Sequence, residues 1–412
     1  MSNKRSKTGH FLQMKSYEQY KPSGVAWLGD VPEHWEVKRL KFMATIQNGQ
    51  DYKHIITDEG YPVIGSGGQF AYANDYLYDG ESILLGRKGT IDKPLYINGK
   101  FWTVDTMFYT QINKNTVPKF LYYCTLTVDF WRIATQTALP SVTATALSNL
   151  QFAVPPLKEQ TAIAAYLDER TAYLDRLIAK QQALSEKLSE KRTALITEAV
   201  CGRLDINTDN LERVGMPTLR DNGIQWLGDI PEHWELKRLR FLCNIQTGNM
   251  DTQDNDPDGI YPFYVRSPTV ERSNNYTFEN NEAVLMAGDG VGAGKVFHYV
   301  QGKYGCHQRV YSLNNFNGIA GKFLFYYLRE FFSRKIEEGG AKSTVDSVRL
   351  PMLKDFPVAT PPETEQTTIA TFLDKETAKI DRLQAKIAES IARLKEYRAA
   401  LITQTITGKI KV

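Results

Sequence analysis

Residues 155–206 read PPLKEQTAIAAYLDERTAYLDRLIAKQQALSEKLSEKRTALITEAVCGRLDI, and residues 361–412 read PPETEQTTIATFLDKETAKIDRLQAKIAESIARLKEYRAALITQTITGKIKV. From Glu159 and Glu365 onward they align without a gap at an offset of 206, with 22 of 48 positions identical. Each opens after a double proline, which has no amide hydrogen to lose in a first helical turn. Each nears its end at a glycine, Gly202 or Gly408, a residue suited to the left-handed position that closes a helix. No proline or glycine falls between. About 44 residues in such a helix make a rod of roughly 65 Å.

Apolar positions recur every seven residues: Leu167, Leu174, Gln181, Leu188 and Leu195 in the first stretch, Leu373, Ile380, Ile387, Leu394 and Leu401 in the second. A second row adds Ile178, Leu184, Leu383 and Ile391. A seven-residue period predicts a coiled-coil seam rather than the broader stripe of a helix laid on its own domain. The obvious partner is the twin helix, expected antiparallel, with the two flanking domains at opposite ends of the rod about an approximate two-fold axis. Gln181, where the twin has Ile387, is a polar intrusion suited to fixing register.

The duplication extends beyond the helices. Residues 24–42 (GVAWLGDVPEHWEVKRLKF) and 223–241 (GIQWLGDIPEHWELKRLRF) share 14 of 19 positions at an offset of 199. Between these blocks the offset grows: 200 at Tyr61-Pro62, 201 at Glu81–Leu84, 202 at Tyr109 against Tyr311, 203 at Lys119-Phe120-Leu121. Stepwise growth is what loop insertions in one shared fold produce, so the chain is one domain-plus-helix unit written twice. The expected division is 1–156 (an N-terminal extension and a first domain), 157–206 (a central long helix), 207–362 (a linker and a second domain) and 363–412 (a C-terminal long helix). The role of residues 1–22, outside the repeat, is open.

Inside each domain only a skeleton repeats. Ser82–Leu85 and Ala283–Met286 read as strands, and Pro118–Ala134 and Gly321–Glu338 as helices, giving α+β domains with mixed, mostly antiparallel sheets. The tryptophans that bracket Pro32-Glu33-His34 and Pro231-Glu232-His233 read as a structural clasp. Each first strand runs into a glycine loop carrying cations. The loop at 288–295 is not a phosphate loop: Asp289 occupies a required glycine position, and Val296 follows Lys295 where Ser or Thr is needed. Arginine and lysine on such loops can reach guanine edges or phosphates. The candidates are Arg87, Lys88, Lys93, Arg266, Lys295, Arg309 and Lys342.

The bulk numbers bound the rest. The chain has 412 residues, 42% hydrophobic and 24% charged, with a net charge of +3. That permits nucleic-acid binding without arguing for it. Cys124, Cys201, Cys243 and Cys306 form no CxxC pair and read as buried reduced thiols. No apolar run reaches membrane-spanning length, and residues 1–10 do not resemble a signal peptide, so a cytoplasmic protein without membrane contact is expected. The Pro-Pro strings at 154–157 and 360–363 lack the polar and aromatic flanks of an amino-methyltransferase motif. With the histidines scattered, no catalytic site, cofactor or metal is expected.

These motifs together, the paired Trp-Leu-Gly-Asp-x-Pro-Glu-His-Trp blocks and the Pro-Pro-x-x-Glu-Gln-x-x-Ile-Ala-x-x-Leu-Asp helix starts at 155–168 and 361–374, resemble the specificity subunit of type I restriction–modification systems over nearly the whole chain after about residue 16. The resemblance implies two target-recognition domains, each reading half of a bipartite site in double-stranded DNA. It implies helices that measure the spacer and dock two methyltransferase subunits, with restriction and translocase subunits joining that core. It implies no base-contacting residues, since the family has no transferable motif for them. The alternative is a coiled-coil scaffold that does not read DNA.

Overall fold

The computed structural model describes residues 16–135, 137–207, 211–338 and 347–412. Among them are six α-helices: α1 (Pro118–Thr125), α2 (Ala144–Ser148), α3 (Leu157–Val200), α4 (Gly321–Glu338), α5 (Leu350–Lys354) and α6 (Glu363–Ile406). The two long helices, 44 residues each, begin just after their double prolines. Both close alike. The Arg203 N–H donates to Glu198 O and the Gly202 N–H to Ala199 O, while Lys409 and Gly408 donate to Gln404 O and Thr405 O. Gly202 and Gly408 carry φ of 69° and 73°. A side chain at either would also strike the entry block of a domain, Pro231 and Trp234 for Gly202, Pro32 and Trp35 for Gly408. Glycine is therefore required there twice over, for the turn and for the close approach.

The chain divides into two compact units, one joining the chain up to Gln182 with Glu389–Val412, the other spanning Ala183–Ala388. The division passes through both long helices, so each unit holds the start of one and the end of the other. In the first unit Asp175 pairs with Arg398 (2.9 Å to Nε), and the Gln181 amide donates to Ser390 Oγ (3.0 Å). In the second, Ser189 accepts from Gln384 (2.7 Å) and Arg192 pairs with Asp381 (3.3 Å). In both, advance along α3 matches retreat along α6, which is antiparallel pairing. Leu167, Leu174 and Leu401 are buried in the first unit's main core and Leu373 in the second's, while Ile380 is also buried. Gln181, Leu188, Leu195, Ile387 and Leu394 are half-buried. The second row departs from expectation: Ile178 is buried, but Leu184 and Leu383 are each 49% exposed. Ile391 is half-buried, so the two helices cover one narrow seam and only Leu184 and Leu383 of the adjoining row turn outward.

The first unit contains an antiparallel four-stranded sheet in the order Leu95–Ile97, Ser82–Gly86, Met107–Ile112, Ala44–Asn48. A five-stranded sheet beside it has one parallel pairing, Lys100–Thr103 on Tyr61–Gly65. In the second unit six strands form one sheet, with the equivalent parallel pairing of Phe297–Cys306 on Tyr261–Tyr264. In each unit a short ribbon ties the entry block to the residues before the long helix: Glu36–Arg39 with Gln151–Val154, and Glu235–Arg238 with Pro357–Thr360.

Two expectations need correction. The helix expected over Pro118–Ala134 stops at Thr125, and only a 3-10 turn at Phe130–Arg132 follows. The hydroxyls of Thr125 and Thr127 bond back to the carbonyls of Tyr122 and Cys124, competing with helical continuation. The offset of 202 at Tyr109 is also wrong. Phe108 faces Leu85 as Tyr311 faces Met286, so Phe108 is the counterpart of Tyr311 and the offset is already 203.

Candidate nucleic-acid interface

The repeated helix motif builds the frame. Glu159 accepts from Trp35 Nε1 (3.3 Å) and meets His34 Nε2 (2.9 Å), and the Tyr17 hydroxyl reaches the same carboxylate. Glu365 repeats this with Trp234 (3.0 Å) and His233 (2.8 Å). Gln160, almost fully buried, accepts from Val117 N (2.9 Å) and donates to Pro155 O (2.9 Å) and Asn115 O (3.3 Å). Asp168 takes the Tyr123 hydroxyl (2.7 Å) and Lys119 (3.2 Å), as Asp374 takes Tyr326 (2.6 Å) and Lys322 (3.4 Å). Burial, then the bond to Asp374, pushes the Tyr326 hydroxyl up to about 12. Glu, Gln and Asp of the motif thus fasten each domain to its helix.

On this frame sit two loops that share their anchoring backbone hydrogen bonds and differ in side chains. In the first unit the N–H groups of Arg87 and Lys88 donate to Thr106 O, and Val142 N donates to Arg87 O. In the second, Gly288 N donates to Arg309 O (2.9 Å) and Val348 N to Gly288 O (2.8 Å). A bridge joins Lys88 to Ser141 in one and Asp289 to Ser347 in the other. Lys88 and Asp289 are therefore counterparts.

In the first unit Arg87 and Lys88 are exposed on the wall of a cleft of about 400 Å³ that also includes Asn48, Phe108, Ser141 and Thr143. The Arg87 guanidinium lies over the Phe108 ring (5.8 Å) and donates to Asp105 O (3.3 Å). In the second unit Asp289 gathers two cations: Arg266 Nη1 at 3.1 Å on one oxygen and Arg309 Nη1 on the other. Burial by itself would raise the Asp289 carboxyl, but the bonds from Arg309 and Arg266 outweigh it and hold the group below the usual range. A Cβ at Gly292 would lie 2.3 Å from Arg266 O, so this loop needs glycine for close approach rather than for phosphate. Lys93 and Lys295 are exposed farther along the two loops. Lys342 lies outside the described residues. Sequence reasoning missed Asp289; its signal was an acid aligned against Lys88, each followed by a glycine, Gly290 and Gly89.

Among the described residues no cluster of His, Cys, Asp and Glu could hold a metal ion, and no helix is long and apolar enough to cross a membrane. The units, the paired helices and the unlike loops define a duplicated recognition module on a shared frame. The family model for the type I restriction modification DNA specificity domain matches residues 32–186 and 231–393, and the chain belongs to that family. It is similar to the type I restriction enzyme EcoDI specificity subunit of Escherichia coli, 33% identical over 44% of this chain and 40% of that protein, so the match spans less than half of that relative. It is also similar to the type I restriction enzyme MjaVIII specificity subunit of Methanocaldococcus jannaschii, 22% identical over 93% of this chain and 94% of that protein. A solved structure described as "Structural basis underlying complex assembly and conformational transition of the type I R-M system" shares the fold, with a TM-score of 0.69 at 15% identity over 91% of this chain and 98% of that chain.

Proposed function

We propose that this chain is the non-catalytic, cytoplasmic member of a type I modification and restriction complex, and that it chooses the DNA site. One domain, within 1–156, reads one half of a bipartite double-stranded site. The other, within 207–362, reads the second half, and the long helices at 157–206 and 363–412 serve both. Two methyltransferase subunits and the restriction and translocase subunits supply the chemistry. Arg87, Lys88, Lys93, Arg266, Lys295, Arg309 and Lys342 are the candidate DNA contacts. The outward-turned Leu184 and Leu383 offer apolar surface on the helices for the methyltransferase subunits.

The observation that carries this reading is the contrast between a repeated frame and unrepeated loop side chains: Glu159 and Glu365 make the same contacts, while Lys88 and Asp289 share a backbone bridge and carry opposite charges. A frame kept twice with its loops changed is what two unlike half-sites require. The test maps methylated sites in cells that express the chain with its cognate methyltransferase subunits, before and after exchange of residues 43–150. One half of the site changes while the other half is kept. If both halves change, or neither does, the modular reading is wrong. Methylation or cleavage by the purified chain alone would refute its non-catalytic role.

A further inference from the structure

We propose that Arg266, Asp289 and Arg309 form a guanine-reading element of the second unit, with Asp289 as its positioning residue; this rests on the DNA-reading role proposed above. The Asp289 side chain is 15% exposed, while those of Arg266 and Arg309 are 43% and 60% exposed. The carboxylate therefore sits behind the two guanidiniums and holds each by its Nη1. A guanidinium carries five donors in a planar fork, so a group tied at one nitrogen still presents directional N–H bonds. Two cations sharing one anion retain only a single net positive charge, which weakens their general pull on phosphates. What remains is orientation, the property that bidentate contact with guanine O6 and N7 demands. A fork fixed in advance also loses less side-chain entropy on binding.

The assembly draws on three segments. Arg309 lies in the short turn between strands Phe297–Cys306 and Val310–Asn314, where its N–H donates to His307 Nδ1 (3.1 Å). Gln308 is exposed beside it. The parallel pairings place Trp102 against Val63 as Gly305 lies against Phe263, so Asp105 and Thr106 are the counterparts of Gln308 and Arg309. The charge assignment is thus reversed between units. In the first, the cations Arg87 and Lys88 are on the glycine loop and an acid is on the turn. In the second, the acid is on the loop and Arg309 is on the turn. One backbone frame holds opposite donor patterns, which suits two different base sequences.

The test measures methylation site preference by the complex of this chain with its methyltransferase subunits. The variants are Arg309→Gln, Arg309→Lys, Arg266→Gln and Asp289→Asn. Arg309→Gln is expected to lose roughly ten- to hundred-fold of the discrimination for guanine at one position of the half-site assigned to the second unit, leaving the other half intact. Arg309→Lys keeps the charge and loses the fork, so binding is largely kept while discrimination falls. Asp289→Asn gives a smaller loss at the same position. A uniform loss of binding on every duplex, with the salt slope reduced by about one, marks a phosphate contact and overturns the proposal. So does unchanged guanine preference in Arg309→Gln, or a half-site, altered by exchange of residues 242–356, that contains no guanine. If the wild-type chain sets no methylation site at all, the failure lies with the DNA-reading role itself.

Discussion

Replacing Gln366 with alanine tests why the family motif carries a Glu-Gln pair at the helix start. The Gln366 side chain is fully buried, accepts from Ala320 N (2.6 Å) and donates to Gly318 O (3.1 Å) and Pro361 O (2.7 Å). It ties the loop before α4 to the double proline that starts α6. A hydrogen bond contributes about 1 kcal/mol net, but a buried donor or acceptor stranded without its partner costs about 1–3 kcal/mol. Three partners lose Gln366 together, and some relaxation or water entry is expected, so the loss is about 3–5 kcal/mol. Urea denaturation followed by hydrogen exchange with mass spectrometry reads this in two ways. The unfolding midpoint of the second unit falls, and the amide of Ala320 loses protection before the rest of that unit. Gln160→Ala repeats the effect in the first unit, with protection lost at Val117, whose N–H it accepts. If Gln366→Ala unfolds within about 0.5 kcal/mol of the parent and Ala320 exchanges as before, the side chain is not the tie described and the motif needs another explanation.

Three other perturbations have definite expected outcomes. In the first unit Gln181 Oε1 is buried without a hydrogen-bond partner, so Gln181→Ile, matching Ile387, is expected to stabilise that unit by about 0.5–1 kcal/mol, read as a higher Tm; a fall would show that the amide is satisfied. Burial holds the His298 imidazole below 6.5, against the opposing pull of its bond to Ser267 O. The unfolded chain then takes up this proton first, so the second unit loses stability as pH falls through the unfolded value, and His298→Gln should flatten urea midpoints between about pH 7.5 and 5; an unchanged slope refutes this. Burial pushes the thiols of Cys201, Cys243 and Cys306 up to about 12 and that of Cys124 higher still, so the native chain should not react with a thiol reagent at about pH 8 until denatured; rapid labelling of any of the four would contradict their burial.

Much of the frame was legible because its signals are local. The double prolines, the seven-residue period and the closing glycines fall within single stretches of chain, and each marks an element that the structure contains. The helix over Gly321–Glu338 was read with its full length, since no breaker interrupts it. The same reasoning overran at Thr125, because a threonine that turns its hydroxyl onto a nearby carbonyl looks like any other residue to a count of apolar positions. Strand order was not legible at all: pairing Lys100–Thr103 with Tyr61–Gly65 joins residues about forty positions apart, and periodicity carries no record of it.

The cations of the candidate site were legible as charges on glycine loops, but the acid that joins two of them was hidden for a different reason, and that reason has a use. Repetition reveals what both units need, and both need the contacts of Glu159 and Glu365, Gln160 and Gln366, Asp168 and Asp374. A residue that serves only one unit leaves no mark in such a comparison, so the repeat pointed to the fastening and passed over Asp289. Once the backbone equivalence is known, the comparison inverts. Where the loop keeps its hydrogen bonds and changes its charge, as from Lys88 to Asp289, the backbone is not what demands the change. The change is matched within the second unit by Arg266 and Arg309, which Asp289 holds, so the two units present different exposed cations on equivalent loops.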